Sequence, residues 1–135
     1  MKTKLIDTNG IIRYLVEDPK DNKYQKVFDL FERTEKKEVV IFIDSSVLAE
    51  AYYVLTKFYK IPQIEVCEKL IGIVEFSGFI LTDKNIAINT LNRLKIKNID
   101  FVDAFLIEKA LKDNMCIYTA DKDLLKSEAD TEKIY

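Results

Sequence analysis

The chain has 135 residues, 48% hydrophobic and 33% charged, with 23 Asp and Glu against 21 Lys and Arg and no histidine. That length suits a single domain spanning 1–135 with a real core, and the composition is that of an ordinary globular protein. The absence of histidine excludes a Ser-His-Asp triad, a Cys-His pair, a HExxH zinc site and histidine-based ribonuclease chemistry; three glycines are too few for a P-loop or a dinucleotide fingerprint.

In chain order, short β-rich runs alternate with longer helical patterns. A strand is expected over 4–7 and a helix over about 8–16, stopping before Asp18-Pro19. A second helix over about 21–37 carries Tyr24, Val27, Phe28 and Phe31 on one face. Residues 39–43 are five consecutive β-formers, as in a strand buried on both faces. Asp44-Ser45-Ser46 offers caps to a helix with Val47, Leu48, Ala51, Leu55, Phe58 and Tyr59 at helical spacing. Pro62 opens another helix, with Cys67, Leu70, Ile71 and Val74 as its stripe. Gly78 introduces a third strand at 79–81, helices follow at 83–94 and 101–112, and a fourth strand at 116–119. A short helix after Asp121 and an edge strand at Lys133-Ile134-Tyr135 complete the pattern. Such alternation implies an α/β fold, a mainly parallel sheet with helices on both faces.

No apolar run is long enough to span a bilayer, and the first residues lack the apolar stretch of a signal peptide. Cys67 and Cys116 are far apart, with no CxxC, and read as reduced core residues. A cytoplasmic location is expected from this.

Five acids occupy positions where chemistry is commonly found. Asp7, Asp121 and Asp123 follow apolar strands, Glu50 lies early in a helix, and Asp103 interrupts the apolar run from Phe101 to Ile107. Ligands in open α/β sheets bind beyond the carboxyl ends of strands, and a group of carboxylates supplies hard oxygen donors of the kind that Mg²⁺ or Mn²⁺ takes. Plainer roles remain open: Asp7 and Asp121 also suit helix caps, and Glu50 and Asp123 also suit solvated helix surfaces. Asp103 fits a plain role least, because an unpaired carboxylate among apolar neighbours costs several kcal/mol. Asp100 beside it reads as the cap of the same helix. The formal charge of −2 does not exclude a nucleic-acid substrate, since taking the five acids out of the 23 leaves 18 against 21 basic residues.

In four places the chain resembles the PIN-domain ribonucleases, especially the small VapC-type toxins. Leu5-Ile6-Asp7-Thr8-Asn9 matches an apolar strand ending in Asp-Thr-Asn, and Val47-Leu48-Ala49-Glu50 matches the second motif. Asp103-Ala104-Phe105-Leu106-Ile107 matches the third and Thr119-Ala120-Asp121-Lys122-Asp123 the fourth, all in order and with matching spacing. The resemblance implies a three-layer α/β/α sandwich with strand order 3-2-1-4-5, which would set Asp7 beside Asp121. It makes Asp7, Glu50, Asp103 and Asp121 the catalytic quartet. Asp7, Asp103, Asp121 and Asp123 become the metal ligands, and Asn9 and Thr119 supporting residues, although Asn9 could instead cap the first helix.

The implied activity is endoribonuclease hydrolysis assisted by Mg²⁺, with Mn²⁺ as an alternative, leaving 5′-phosphate and 3′-hydroxyl ends. The implied partners are an RNA substrate, a small VapB-like antitoxin and a second copy of the chain. A housekeeping RNA-processing nuclease, a silent PIN-fold binding module and a phospho-receiver-like domain stay open beside this. Tyr52, Tyr53, Phe58 and Tyr59 supply more rings than one buried helix face needs; either a large core or an interface would account for them.

Overall fold

A computed structural model describes residues 3–16 and 20–135. The chain runs β1 (Lys4–Leu5), α1 (Thr8–Leu15), α2 (Asn22–Glu35), β2 (Ile41–Phe42), α3 (Ser45–Tyr53), a π-helical turn (Val54–Phe58), α4 (Gln63–Val74), β3 (Phe79–Ile80), α5 (Lys84–Ile96), α6 (Phe101–Asp113), β4 (Ile117–Thr119), α7 (Lys122–Leu125) and β5 (Thr131–Lys133). It is an α/β fold, mostly helical, with parallel strands. The expected helix stop at Asp18-Pro19 lies outside the described residues.

The strands form two parallel ladders. β2 is central in the first, pairing β1 through Lys4↔Ile41 and β3 through Ile41↔Phe79. β4 pairs β5 through Ile117↔Thr131 in the second. The expected order is thus present as two segments, 3-2-1 and 4-5, without a hydrogen-bonded ladder joining β1 to β4 among the described residues. Parallel pairing requires a crossover between strands, which the intervening helices supply.

Burial explains the central strand. Val39, Ile41 and Ile43 are buried, and Val40 and Phe42 between them are half-buried. Gly78 lets β3 approach α2: a Cβ there would lie 2.1 Å from the Thr34 carbonyl oxygen and 2.7 Å from that of Val39. The main core joins Leu48, Leu55, Leu70, Val74, Phe79, Leu91 and Leu94. A smaller cluster of Ile107, Ala110, Ile117, Leu124 and Ala129 ties α6, β4 and α7 together. Ile99 packs against both clusters. Arg93 of α5 reinforces the join, reaching Glu108 of α6 at 2.7 Å and Glu128 beyond α7 at 2.5 Å.

Three expectations are corrected. The last strand is Thr131–Lys133, earlier than residues 133–135, because an exposed edge strand tolerates the polar Thr-Glu-Lys and carries no apolar signal. Cys116 is exposed and only Cys67 is a core thiol, its pKa pushed up to about 11 chiefly by burial. Phe58 and Tyr59 do not continue the buried stripe of α3. The π-helical turn, in which the Tyr59 N–H bonds the Val54 carbonyl at 3.1 Å, takes more than 3.6 residues per turn and rotates both rings outward.

Candidate active site

Two groups of acids are built from local structure, and α3 links them. In the first, Asp7 caps α1: its Oδ1 accepts the Gly10 N–H at 3.0 Å, while Oδ2 has no described partner. Capping fixes the carboxylate's rotamer and sets its charge against the positive end of the helix. Gly10 leaves room for Ile6, since a Cβ there would meet Ile6 Cγ1 at 2.7 Å. Glu50, exposed on α3, accepts the Thr8 hydroxyl at 3.0 Å through Oε2. Asn9 lies inside the first turn of α1, so Asp7 is the cap and Asn9 is not. Asp7, Thr8, Asn9 and Glu50 line an open cleft of about 590 Å³ together with Tyr53, Phe58 and Tyr59.

The second group lies where α6 and α7 begin. Asp121 caps α7, its Oδ1 accepting the N–H groups of Asp123 at 2.8 Å and Leu124 at 3.2 Å. Thr119, at the end of β4, accepts the Asp121 N–H through its hydroxyl at 2.9 Å. Asp103 stands in the first turn of α6 and is half-buried. The apolar run around it resolves by helical periodicity: Phe101, Ala104 and Ile107 face the core, while Val102 and Leu106 are exposed. Asp103 sits on the boundary between the two faces. Burial, followed by repulsion from Asp121, Asp100 and Asp123, holds its carboxyl above the usual carboxylate range. Asp100 occupies the cap position of α6 but makes no side-chain cap bond; it contributes charge to Asp103 instead.

α3 packs against both α1 and α6, and the Tyr52 ring on α3 lies 6.0 Å from the Phe101 ring on α6. The acids nevertheless remain in two groups. Among the described residues no three Asp, Glu, Cys or His side chains are close enough together to hold one metal ion. β1 and β4 belong to separate ladders, so no shared pairing draws Asp7 and Asp121 side by side.

The donor chemistry suits a hard divalent cation. Asp7, Glu50, Asp103, Asp121 and Asp123 form none of the ion pairs among the described residues, although Arg13, Arg33, Arg93, Lys109 and Lys112 all pair with other acids. Carboxylate oxygens that join no ion pair are hard donors of the kind Mg²⁺ and Mn²⁺ take.

Composition and motif spacing missed Thr8 as the holder of Glu50, although it stands within Asp7-Thr8-Asn9. They also missed that Phe58 and Tyr59 line the cleft, which depends on the π-helical turn. No helix of the described residues is long and apolar enough to cross a membrane.

No curated protein matches the chain. The sequence does match the PIN domain family over residues 4–129, a stretch that holds all five acids. PIN domains are generally nucleases and typically bind divalent metals.

Proposed function

The chain belongs to the PIN domain family, and on that premise we propose that it is a single-domain, cytoplasmic endoribonuclease dependent on Mg²⁺ or Mn²⁺, the toxin of a VapBC-type pair. The observation that carries the reading is the set of five acids without a cation partner, split between the N-termini of α1 and α7 and the helices α3 and α6. Asp7, Asp103, Asp121 and Asp123 would hold the metal, which requires binding to draw the two groups closer than they stand here. When bound, the ion supplies positive charge against the scissile phosphate and lowers the pKa of water.

The chain's own residues do the rest. The cap bonds from Gly10 to Asp7 and from Asp123 and Leu124 to Asp121 engage Oδ1 in each case, which leaves Oδ2 for a ligand. Thr8 holds Glu50 at the edge of the cleft, where Glu50 takes the proton of the attacking water. Water oxygen bonds to phosphorus as the bond to the 3′ oxygen breaks, and the departing 3′ oxygen takes a proton from solvent, leaving a 5′-phosphate and a 3′-hydroxyl. Thr119 fixes the Asp121 backbone and Asn9 lines the cleft, both as orienting groups.

A small antitoxin held on the toxin, and a second copy of the chain as a homodimer, complete the proposal; the four motifs that resemble VapC-type toxins support it. Purified protein should cut a mixed RNA pool with Mg²⁺ or Mn²⁺, and its products should accept ligation through a 5′-phosphate. Cleavage that survives EDTA contradicts the metal role. Free overexpression of an active enzyme without growth arrest contradicts the toxin role and favours RNA processing.

A further inference from the structure

The cleft beside α1 and α3 is lined by the carboxylates of Asp7 and Glu50 and by no lysine or arginine. The phosphates of a bound strand must therefore meet positive charge elsewhere. A hollow of about 380 Å³, to which α5, α6 and α7 all contribute, is lined by Asp123 together with Arg93, Lys97 and Lys126. We propose that Lys97 and Lys126 bind backbone phosphates of the RNA flanking the scissile one, so that the strand occupies this hollow as it passes the acids.

The inference rests on the nuclease reading above and adds the path of the strand and the residues that hold it. The first support is continuity with the acids. Asp123 lines the hollow, and its charge is among those that raise the pKa of Asp103. The second support is which cations are unengaged. The Arg93 side chain is only 13% exposed and is held by Glu108 at 2.7 Å and Glu128 at 2.5 Å, so it serves those two acids. Lys97 and Lys126 are exposed and join none of the ion pairs among the described residues. Arg13 and Lys109, which line other hollows, are paired with Asp21 and Asp113. Of the charges lining the hollow, Arg93 offsets Glu128, which leaves two lysines against Asp123. Unpaired lysines are what phosphates displace counterions to meet. The third support is anchoring. Lys97 closes α5, its N–H bonded to the Arg93 carbonyl at 3.0 Å and its own carbonyl accepting the Gln63 side chain at 2.9 Å. Lys126 closes α7, its N–H bonded to the Lys122 carbonyl at 3.1 Å. A lysine at a helix C-terminus complements the helix dipole, and that accounts for either residue alone. It does not account for two that share one hollow with an acid of the site. A neighbouring hollow, also of about 380 Å³, shares Arg93 and Lys97 and adds Asn89 and Asn92, whose neutral amides can meet a sugar or a base.

Fluorescein-labelled deca-uridylate is titrated by anisotropy over a range of salt concentrations, once in EDTA and once in Ca²⁺. The proteins are wild type, Lys97→Gln, Lys126→Gln, Lys97→Arg, Lys126→Arg and, as a control, Lys36→Gln, whose lysine closes α2. Lys97→Gln and Lys126→Gln should each lower the slope of log K against log salt by about 0.7, one counterion fewer released from a single strand. At about 0.1 M salt that slope corresponds to binding weakened roughly fivefold. Both Lys→Arg variants and Lys36→Gln should bind as wild type does. An unchanged slope in either Lys97→Gln or Lys126→Gln overturns the proposal, and so does an equal loss in Lys36→Gln, which would make the effect one of net charge. A wild type that binds no single strand in either condition overturns it as well. Uridine 5′-monophosphate and deca-glutamate are added as competitors. Displacement by either at concentrations as low as those of unlabelled deca-uridylate would make this a free-nucleotide or acidic-peptide site, and the proposal fails. Because binding is read without cleavage, a failure here is distinct from a failure of the metal chemistry. Both lysines are exposed, so these variants leave the core intact.

Discussion

Thr8 donates its hydroxyl to Glu50 at 3.0 Å, joining the first helix of the chain to a carboxylate 42 residues away. The bond fixes a flexible exposed side chain at the rim of the cleft that Asp7 and Asn9 also line. Thr8 is therefore a positioning residue. Thr8→Val, which keeps shape and loses the donor, should lower kcat for RNA cleavage by about two- to tenfold, the worth of one ordinary hydrogen bond. KM should stay near wild type, and Thr8→Ser should restore kcat. A Thr8→Val enzyme with unchanged kcat, or one whose loss is entirely in KM, would show that Glu50 is not held for chemistry.

The raised pKa of Asp103 makes a stability prediction. In the metal-free folded state Asp103 binds its proton more tightly than in the unfolded chain, so the folded state loses stability as pH rises from about 4 through the raised pKa. Asp103→Asn carries no such charge. In EDTA the variant should melt above wild type at pH 7 to 8, and the difference should shrink as pH falls below about 4, where Asp103 becomes protonated in the folded and unfolded states alike. Adding Mg²⁺ should raise the melting temperature of wild type more than that of the variant, by binding the folded state alone. A variant that melts below wild type at pH 7 in EDTA would identify Asp103 as a hydrogen-bonded structural residue.

Two glycines outside the site separate backbone packing from helix propensity. A Cβ at Gly78 would collide with two main-chain carbonyls, which cannot swing away as a side chain can. Gly78→Ala should cost about 3 kcal/mol, the upper end for overpacking a close contact. Gly72 is exposed within α4 with nothing within 4 Å of an added Cβ, and Gly72→Ala should stabilise by about 1 kcal/mol. Urea melts of both variants check the pair. Equal effects would mean that β3 does not approach α2 as closely as described.

Much of the fold was legible because periodicity and caps agree. Asp7, Asp21, Asp44, Asp83 and Asp121 each cap a helix that begins within a residue or two of where its apolar pattern starts. The π-helical turn was not legible, since Leu55 and Phe58 fit an α-helical stripe equally well and only the main-chain bond from Tyr59 to Val54 distinguishes the two. Asp7 and Asp121 stand just after strands, as the apolar runs before them imply, but the division of the acids into two groups was not legible. That depends on β1 and β4 lying in separate ladders, which no local pattern encodes. Nor could the sequence place Asp103 on a helix boundary: seven residues that are nearly all apolar conceal which of them face solvent until the helix phase is known.

In the proposed enzyme the two groups of acids act as one metal-dependent centre. The most direct test is the cleavage rate of a single-stranded RNA in Mg²⁺ for wild type, Asp7→Asn, Asp103→Asn and the double variant. Metal charge stabilisation is worth several kcal/mol, so each single substitution should slow cleavage by about a hundredfold or more. Residues that act as a unit are not additive, so the double variant should be little slower than the slower single one. Near-wild-type cleavage by either single variant, or a double variant whose loss equals the product of the two, would contradict a shared centre.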